Sequence, residues 1–199
     1  ILSDPCGARI LFGSASSGKS MIVQQFLSAL RSDVVAARVD GAGLDAENLL
    51  RSILGQIGYR VELESADDLF RMVSVFAIQQ ARTFQPPLVV IENIEQTKAS
   101  GLRALSLLAG LTFQGNYALR IALTGSRQAL WLLGSDGMVP MSKRLESEYD
   151  VEPLSPHESM LVLHDRLRSC QVKQPDAILP MNVCDRIHEL SDGNPGRLI

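Results

Sequence analysis

Gly13-Ser14-Ala15-Ser16-Ser17-Gly18-Lys19-Ser20 satisfies GxxxxGK[ST] in full, and it constrains this chain more than any other stretch. Glycines let the backbone curl so that successive N–H groups point inward at an anion. The helix that starts after Gly18 aims its positive end at the same place. In such a loop Lys19 reaches the outer phosphates of a nucleotide and the Ser20 hydroxyl ligates Mg²⁺. The flanks fit: Ala8–Phe12 (ARILF) is a short apolar strand, and Met21, Ile22, Phe26, Leu27 and Leu30 recur at helical spacing. The expected nucleotide-binding residues are Gly13, Ser14, Ala15, Ser16, Ser17, Gly18, Lys19, Ser20 and Met21. The alternative is a Gly/Ser turn with a solvated lysine.

A strand leading into this loop needs neighbours, and the sequence supplies them. Val34–Val39, Leu88–Ile91, Leu119–Leu123 and Ser147–Val151 read as further strands. Between them, helical periodicity runs over Leu44–Ile57, Ser65–Thr83, Leu102–Leu111 and Gln128–Leu133. Alternating strands and helices mean a parallel sheet flanked by helices. From Ser155 the pattern changes. Ser155-Pro156-His157-Glu158 is a capping box with proline at the first helical position. Pro156–Cys170 and Pro180–Leu190 then read as helices with no strand between. The expected fold is α/β, a P-loop NTPase core over residues 1–153, followed by the start of a small all-α lid over residues 154–199. Aromatics are only 5% of the chain, so Leu, Ile, Val, Ala and Met must build the core.

Composition removes several classes. Hydrophobic residues are 46% and charged residues 21%, so the chain is not disordered or low-complexity. Lys plus Arg is 19 and Asp plus Glu 22, a net charge of −3, so any nucleic-acid contact needs a local basic patch. No apolar run approaches the roughly 20 residues of a membrane-spanning helix. Cys6, Cys170 and Cys184 have no metal-binding spacing and suit a reducing cytosol as small core hydrophobes. His157, His164 and His188 show no ligand spacing.

Four further features concern chemistry. Leu88-Val89-Val90-Ile91 ends in Glu92, an acid at a strand's carboxyl end, where open α/β sheets bind ligands. Glu92 is the expected second Mg²⁺ ligand. Asn93 stands where a second acid would polarise water, and an amide cannot take a proton, so slow or absent hydrolysis is expected. Glu95 lies two residues on. Thr124 and Ser126, at the tip of the next strand, read as γ-phosphate sensors or as an ordinary strand-to-helix turn. Lys143-Arg144 reads as an arginine finger toward a neighbouring subunit or as a solvated pair. Gly193-Asn194-Pro195-Gly196-Arg197 is a turn that sets Arg197 at a helix start, able to fold over phosphates.

With these elements in order, the chain resembles AAA+ ATPases of the general secretion pathway protein A (ExeA/GspA) and TniB/TnsC-like transposition group. The stretch from Arg144-Leu145 through Glu148-Tyr149-Asp150-Val151-Glu152-Pro153-Leu154-Ser155-Pro156-His157-Glu158 is similar to that group's segment between sheet and lid. His164-Asp165-Arg166-Leu167 resembles the helix that follows it, and Leu123–Leu130 resembles its polar strand end without the usual proline and glutamate. The GNPGR turn resembles its sensor-2 motif. The resemblance implies ATP and Mg²⁺ as cofactors, with a homo-oligomer that places a neighbour's arginine at the γ-phosphate. It implies protein partners in a larger assembly such as a secretion or cell-envelope complex. Its setting would be cytoplasmic, or the cytoplasmic part of an inner-membrane protein, and the chain would be a domain excised from a longer one. A non-hydrolysing nucleotide-dependent scaffold is the alternative that Asn93 suggests, with Asn93→Glu then raising turnover. A DNA-associated transposition ATPase is the other, which the acidic balance disfavours.

Overall fold

The structure, a computed structural model, describes residues 7–62 and 65–198; Cys6 lies outside them. The strands are β1 (Ala8–Phe12), β2 (Ala36–Asp40), β3 (Leu88–Glu92), β4 (Thr112–Phe113), β5 (Asn116–Tyr117), β6 (Arg120–Gly125) and β7 (Leu145–Asp150). The helices are α1 (Lys19–Ser28), α2 (Ala46–Gln56), α3 (Ala66–Arg82), α4 (Ala99–Ala109), α5 (Ala129–Leu133), α6 (Val139–Arg144), α7 (Pro156–Ser169), α8 (Pro175–Ile178), α9 (Met181–Ser191) and α10 (Pro195–Leu198). Single 3₁₀ turns occupy Ile94–Gln96 and Asp136–Met138.

Five strands form one sheet in the order β2-β3-β6-β1-β7, each pairing parallel to its neighbours. The expected parallel sheet with flanking helices is therefore observed. The small β4–β5 hairpin is antiparallel. It was not expected, because two-residue strands carry no periodicity; Gln114-Gly115, both at positive φ, make its turn.

The chain divides into two compact units. One joins the segment ending at Phe12 to Val23–Asp150; the other joins Gly13–Ile22 to the residues from Val151 onward. In the first unit the sheet is covered on both faces. Ile10 and Phe12 of β1, Val39 of β2, Val89 and Ile91 of β3, and Ile121 and Leu123 of β6 pack with buried residues of α2, α3 and α4. Leu88 and Val90 face the other way and pack with Val23, Phe26 and Leu27 of α1 and with Leu30 just after it. Burial on both faces is why β3 reads as an unbroken apolar run rather than an alternation. On α1 the buried stripe begins at Val23. Met21 is 72% exposed, which corrects the expectation that Met21 and Ile22 share the apolar face.

The second unit has its own small core of Leu163, Cys184 and Leu198, with Leu154, Met160, Leu179 and Ile187 against it. Its entry is the expected capping box. The Ser155 hydroxyl accepts the Glu158 N–H, and the Glu158 carboxylate accepts the Ser155 N–H at 2.8 Å. His164 is buried, its Nε2 lying 2.8 Å from the Leu179 carbonyl oxygen. Cys184 is buried as expected, but Cys170, at the end of α7, is exposed. Among the described residues no helix is long and apolar enough to cross a membrane, and no His/Cys/Asp/Glu cluster could hold a metal.

Candidate functional site

In the second unit the loop Gly13–Ser20 is held in a tight curl. Ser16 and Gly18 both have positive φ (60° and 95°). A side chain at Gly13 would place its Cβ 2.4 Å from Ser17 Oγ and force that hydroxyl to move. Lys19 is 9% exposed and folds back over the loop. Its Nζ donates to the carbonyls of Gly13 at 2.9 Å and Ser14 at 2.7 Å. Ser17 Oγ is buried with no hydrogen-bond partner among the described residues. An ammonium over a curled backbone, a helix N-terminus and an unsatisfied buried hydroxyl together fit a phosphate chain. The hydroxyl of Ser20, on the first turn of α1, suits Mg²⁺ as a hard oxygen donor.

The same unit brings the GNPGR turn onto this loop. Asn194 Nδ2 donates to the Ala15 carbonyl at 2.9 Å and to Ser14 Oγ at 3.2 Å. The Gly196 N–H donates to the Ser16 carbonyl at 3.0 Å and to Asn194 Oδ1 at 3.0 Å. A Cβ on Gly196 would come within 2.2 Å of Ser16 Cβ, so glycine permits the approach. Arg197 follows with its side chain 64% exposed and a nitrogen 3.8 Å from the Asp192 carboxylate. Sequence reasoning picked out Arg197 and missed Asn194, whose role shows only when residues about 180 positions apart meet.

In the first unit the polar strand ends gather on one side of the sheet. The register pairs Asp40 with Glu92, Leu123 with Ile91 and Leu11 with Thr124. A period of two puts Arg38, Glu92 and Thr124 on the side of Ala36, Val90 and Ala122, the side α1 covers. Glu92 is 5% exposed and Thr124 2%. Arg38 donates through Nε to Glu92 Oε1, so the acid expected to meet Mg²⁺ already faces a guanidinium. Asn93 sits in the left-handed region (φ 51°, ψ 46°), a conformation Asn tolerates well, and its amide donates to Asp40 Oδ1 at 2.9 Å. Glu95 points at the tip of β6. Its Oε1 accepts the Ser126 N–H at 3.1 Å, while Oε2 and Ser126 Oγ are buried without partners among the described residues.

One expected site residue changes place. Arg144 is 1% exposed. Its guanidinium donates to the carbonyls of Ala109, at the end of α4, and Leu119, and lies 4.1 Å from the Tyr117 ring centre. A cation at a helix C-terminus satisfies orphan carbonyls and suits the dipole. Neither the exposed finger nor the solvated surface pair holds for Arg144, because burial keeps its charge inside its own subunit.

Comparison with known proteins agrees with this architecture. No curated protein matches the chain. Among solved structures, the Aeropyrum pernix ORC2 protein (ADPNP–ADP complexes) superposes with TM-score 0.71 at 16% identity, over 100% of this chain and 55% of that one. Cdc6p from Pyrobaculum aerophilum gives 0.64 at 13% identity, over 98% and 59%. The Aeropyrum pernix ORC1 protein in complex with DNA gives 0.64 at 14% identity, over 96% and 51%. The chain spans just over half the length of these structures, and at such identities they share its fold. A model of the AAA domain family matches residues 3–133, the loop and both strand ends included. The chain belongs to the AAA domain family.

Proposed function

We propose that this chain is an AAA+ ATPase domain that binds ATP with Mg²⁺ and uses nucleotide occupancy to drive assembly with further copies of itself and with protein partners. The observation that carries this is the curled loop Gly13–Ser20 under Lys19, docked to the GNPGR turn through Asn194 and Gly196. In this reading Lys19 and the loop N–H groups hold the phosphates, with Ser14, Ala15, Ser16, Ser17 and Met21 lining them. Ser20 and Glu92 would hold Mg²⁺, which supplies charge neutralisation at the phosphates. Thr124 would orient the terminal phosphate or water, and Arg197 would fold over it from the lid. Occupancy then shifts the population of lid conformations, since a ligand favours the state it binds better.

Turnover is slow in this reading, because Asn93 cannot accept a proton and its amide is committed to Asp40. Fluorescent-nucleotide binding with Lys19→Ala tests the core claim. Affinity should fall by two orders of magnitude or more, about 3 kcal/mol, in a variant that still melts cooperatively. Equal affinity in the variant would overturn it.

The likeness to an ORC1 protein solved in complex with DNA supports a second reading, a DNA-associated ATPase. The net charge of −3 weighs against it and requires a local basic face in the assembled form. Binding to a DNA duplex that weakens steeply between low and moderate salt would favour it over a secretion-type role.

A further inference from the structure

We propose that the cleft at the N-terminal edge of the sheet binds a monocarboxylate carried on an apolar group, its anionic end on Arg120 and its apolar part on Phe84. The cleft lies wholly in the first unit and does not depend on nucleotide binding. Its volume is about 320 Å³, at the small end of the range for ligand pockets. Arg31 and Asp33 before β2, residues 83–86 between α3 and β3, and Arg120 at the head of β6 wall it. Two of these residues sit against their own chemistry. Arg120 donates one hydrogen bond, to the Pro86 carbonyl at 3.1 Å; its Nε is buried without a partner, and no acid pairs with it among the described residues. Burial pulls this guanidinium below its ordinary value, with no partner opposing the pull. Phe84 has the opposite fault. It is 89% exposed, on backbone in the left-handed region (φ 59°) that a bulky side chain rarely adopts. The Phe84 and Gln85 N–H groups, bonded to the Ala81 and Gln80 carbonyls at the end of α3, hold that turn. Strain of this kind persists where the surroundings enforce it, and it gathers at ligand sites. Charge sets the class of ligand. Arg31 is already forked onto Asp33, at 2.7 and 3.1 Å, so that pair cancels. A single positive charge remains on the walls, on Arg120, and it matches a carboxylate better than a doubly charged phosphate. Phe84, Val34 and Pro86 offer hydrocarbon beside it.

The test titrates the folded chain with phenylacetate, phenylacetamide and inorganic phosphate, reading the Arg120 Nε–H and Phe84 amide resonances by NMR. Phenylacetate should shift both saturably, phenylacetamide should shift neither, and phosphate should bind about tenfold more weakly or worse. Arg120→Gln should lose about tenfold or more in phenylacetate affinity, the order of one charge-assisted hydrogen bond. Arg120→Lys keeps the charge and should lose less, and it serves where the glutamine variant fails to fold. Phe84→Gly removes the ring and the strain together, and should lose about threefold to tenfold while melting no lower than wild type. An acetylated peptide ending in a phenylalanine carboxylate supplies the same chemistry. Tighter binding than phenylacetate assigns the cleft to a chain terminus, and weaker binding assigns it to a free acid. No shift with phenylacetate, unchanged affinity in a folded Arg120 variant, or phosphate binding as tightly overturns the proposal and leaves the nucleotide-binding reading untouched.

Discussion

Arg144→Ala should unfold the first unit more readily rather than silence a neighbour's active site. The guanidinium supplies donors to two buried carbonyls, Ala109 and Leu119, and stacks on Tyr117 at 4.1 Å. Removing a donor from a buried carbonyl costs about 1–3 kcal/mol. The lost cation–π contact adds about 0.5–2 kcal/mol. These terms overlap, because one cavity serves all of them, and together they come to about 2–5 kcal/mol. For a chain of this size each kcal/mol moves the melting temperature by about 2–4 °C. Arg144→Ala should therefore lower it by about 4–20 °C, followed by circular dichroism. Arg144→Lys should lose less, since an ammonium can meet a carbonyl but cannot fork and stack. The decisive measurement mixes Arg144→Ala with Lys19→Ala subunits. Arg144→Ala melting within 1 °C of wild type, with turnover restored only in the mixture, would refute the structural role and return Arg144 to the neighbour's site.

Asn194→Ala removes two donors to the phosphate loop and the acceptor for the Gly196 N–H. Nucleotide affinity should fall about tenfold, the order of one or two net hydrogen bonds, with amide exchange quickened in α10. Asn93→Glu should fail to raise turnover and should cost about 1–2 kcal/mol in chemical denaturation, since glutamate tolerates left-handed φ poorly and would meet the Asp40 carboxylate; adding Asp40→Asn should recover part of that loss. The Glu158 carboxyl is held below its ordinary value by the Ser155 N–H and hydroxyl, and Asp45 by the Asn48 N–H with Lys98 adding to it. Both groups titrate lower folded than unfolded, so their stabilisation is present above the unfolded values and drains away as pH falls through the folded ones. Urea midpoints should thus drop on acidification below about pH 4.5, and Ser155→Ala should flatten that slope.

Much of this was legible in the chain because it is local. The phosphate loop needs contiguous residues, and its flanking strand and helix announce themselves by apolar period. The capping box at Ser155 and the helices after it are written within four residues and a 3.6 spacing. Helix ends shifted by a few residues: the fourth expected helix starts at Ala99 rather than Leu102, because Lys98 with extended backbone begins it without an apolar marker. The helix Val139–Arg144 went unseen, since six residues are too few for a period to show.

Local pattern settles that a loop of phosphate-binding form joins a strand to a helix, that alternating strands and helices build a parallel sheet, and that an acid ends one strand. It could not show what each polar side chain faces. Whether Arg144 is a surface cation or a core donor, whether Glu92 is open to a metal or held by Arg38, and where Asn93 spends its hydrogen bonds depend on strand order and register, which bring β2 beside β3. Where Asn194 spends its own depends on packing within the second unit, which lays the GNPGR turn on the loop. The physical reason is range. Propensity and periodicity act over a few bonds, whereas the environment of a charge is set by groups dozens of residues away that only packing brings within a few ångströms.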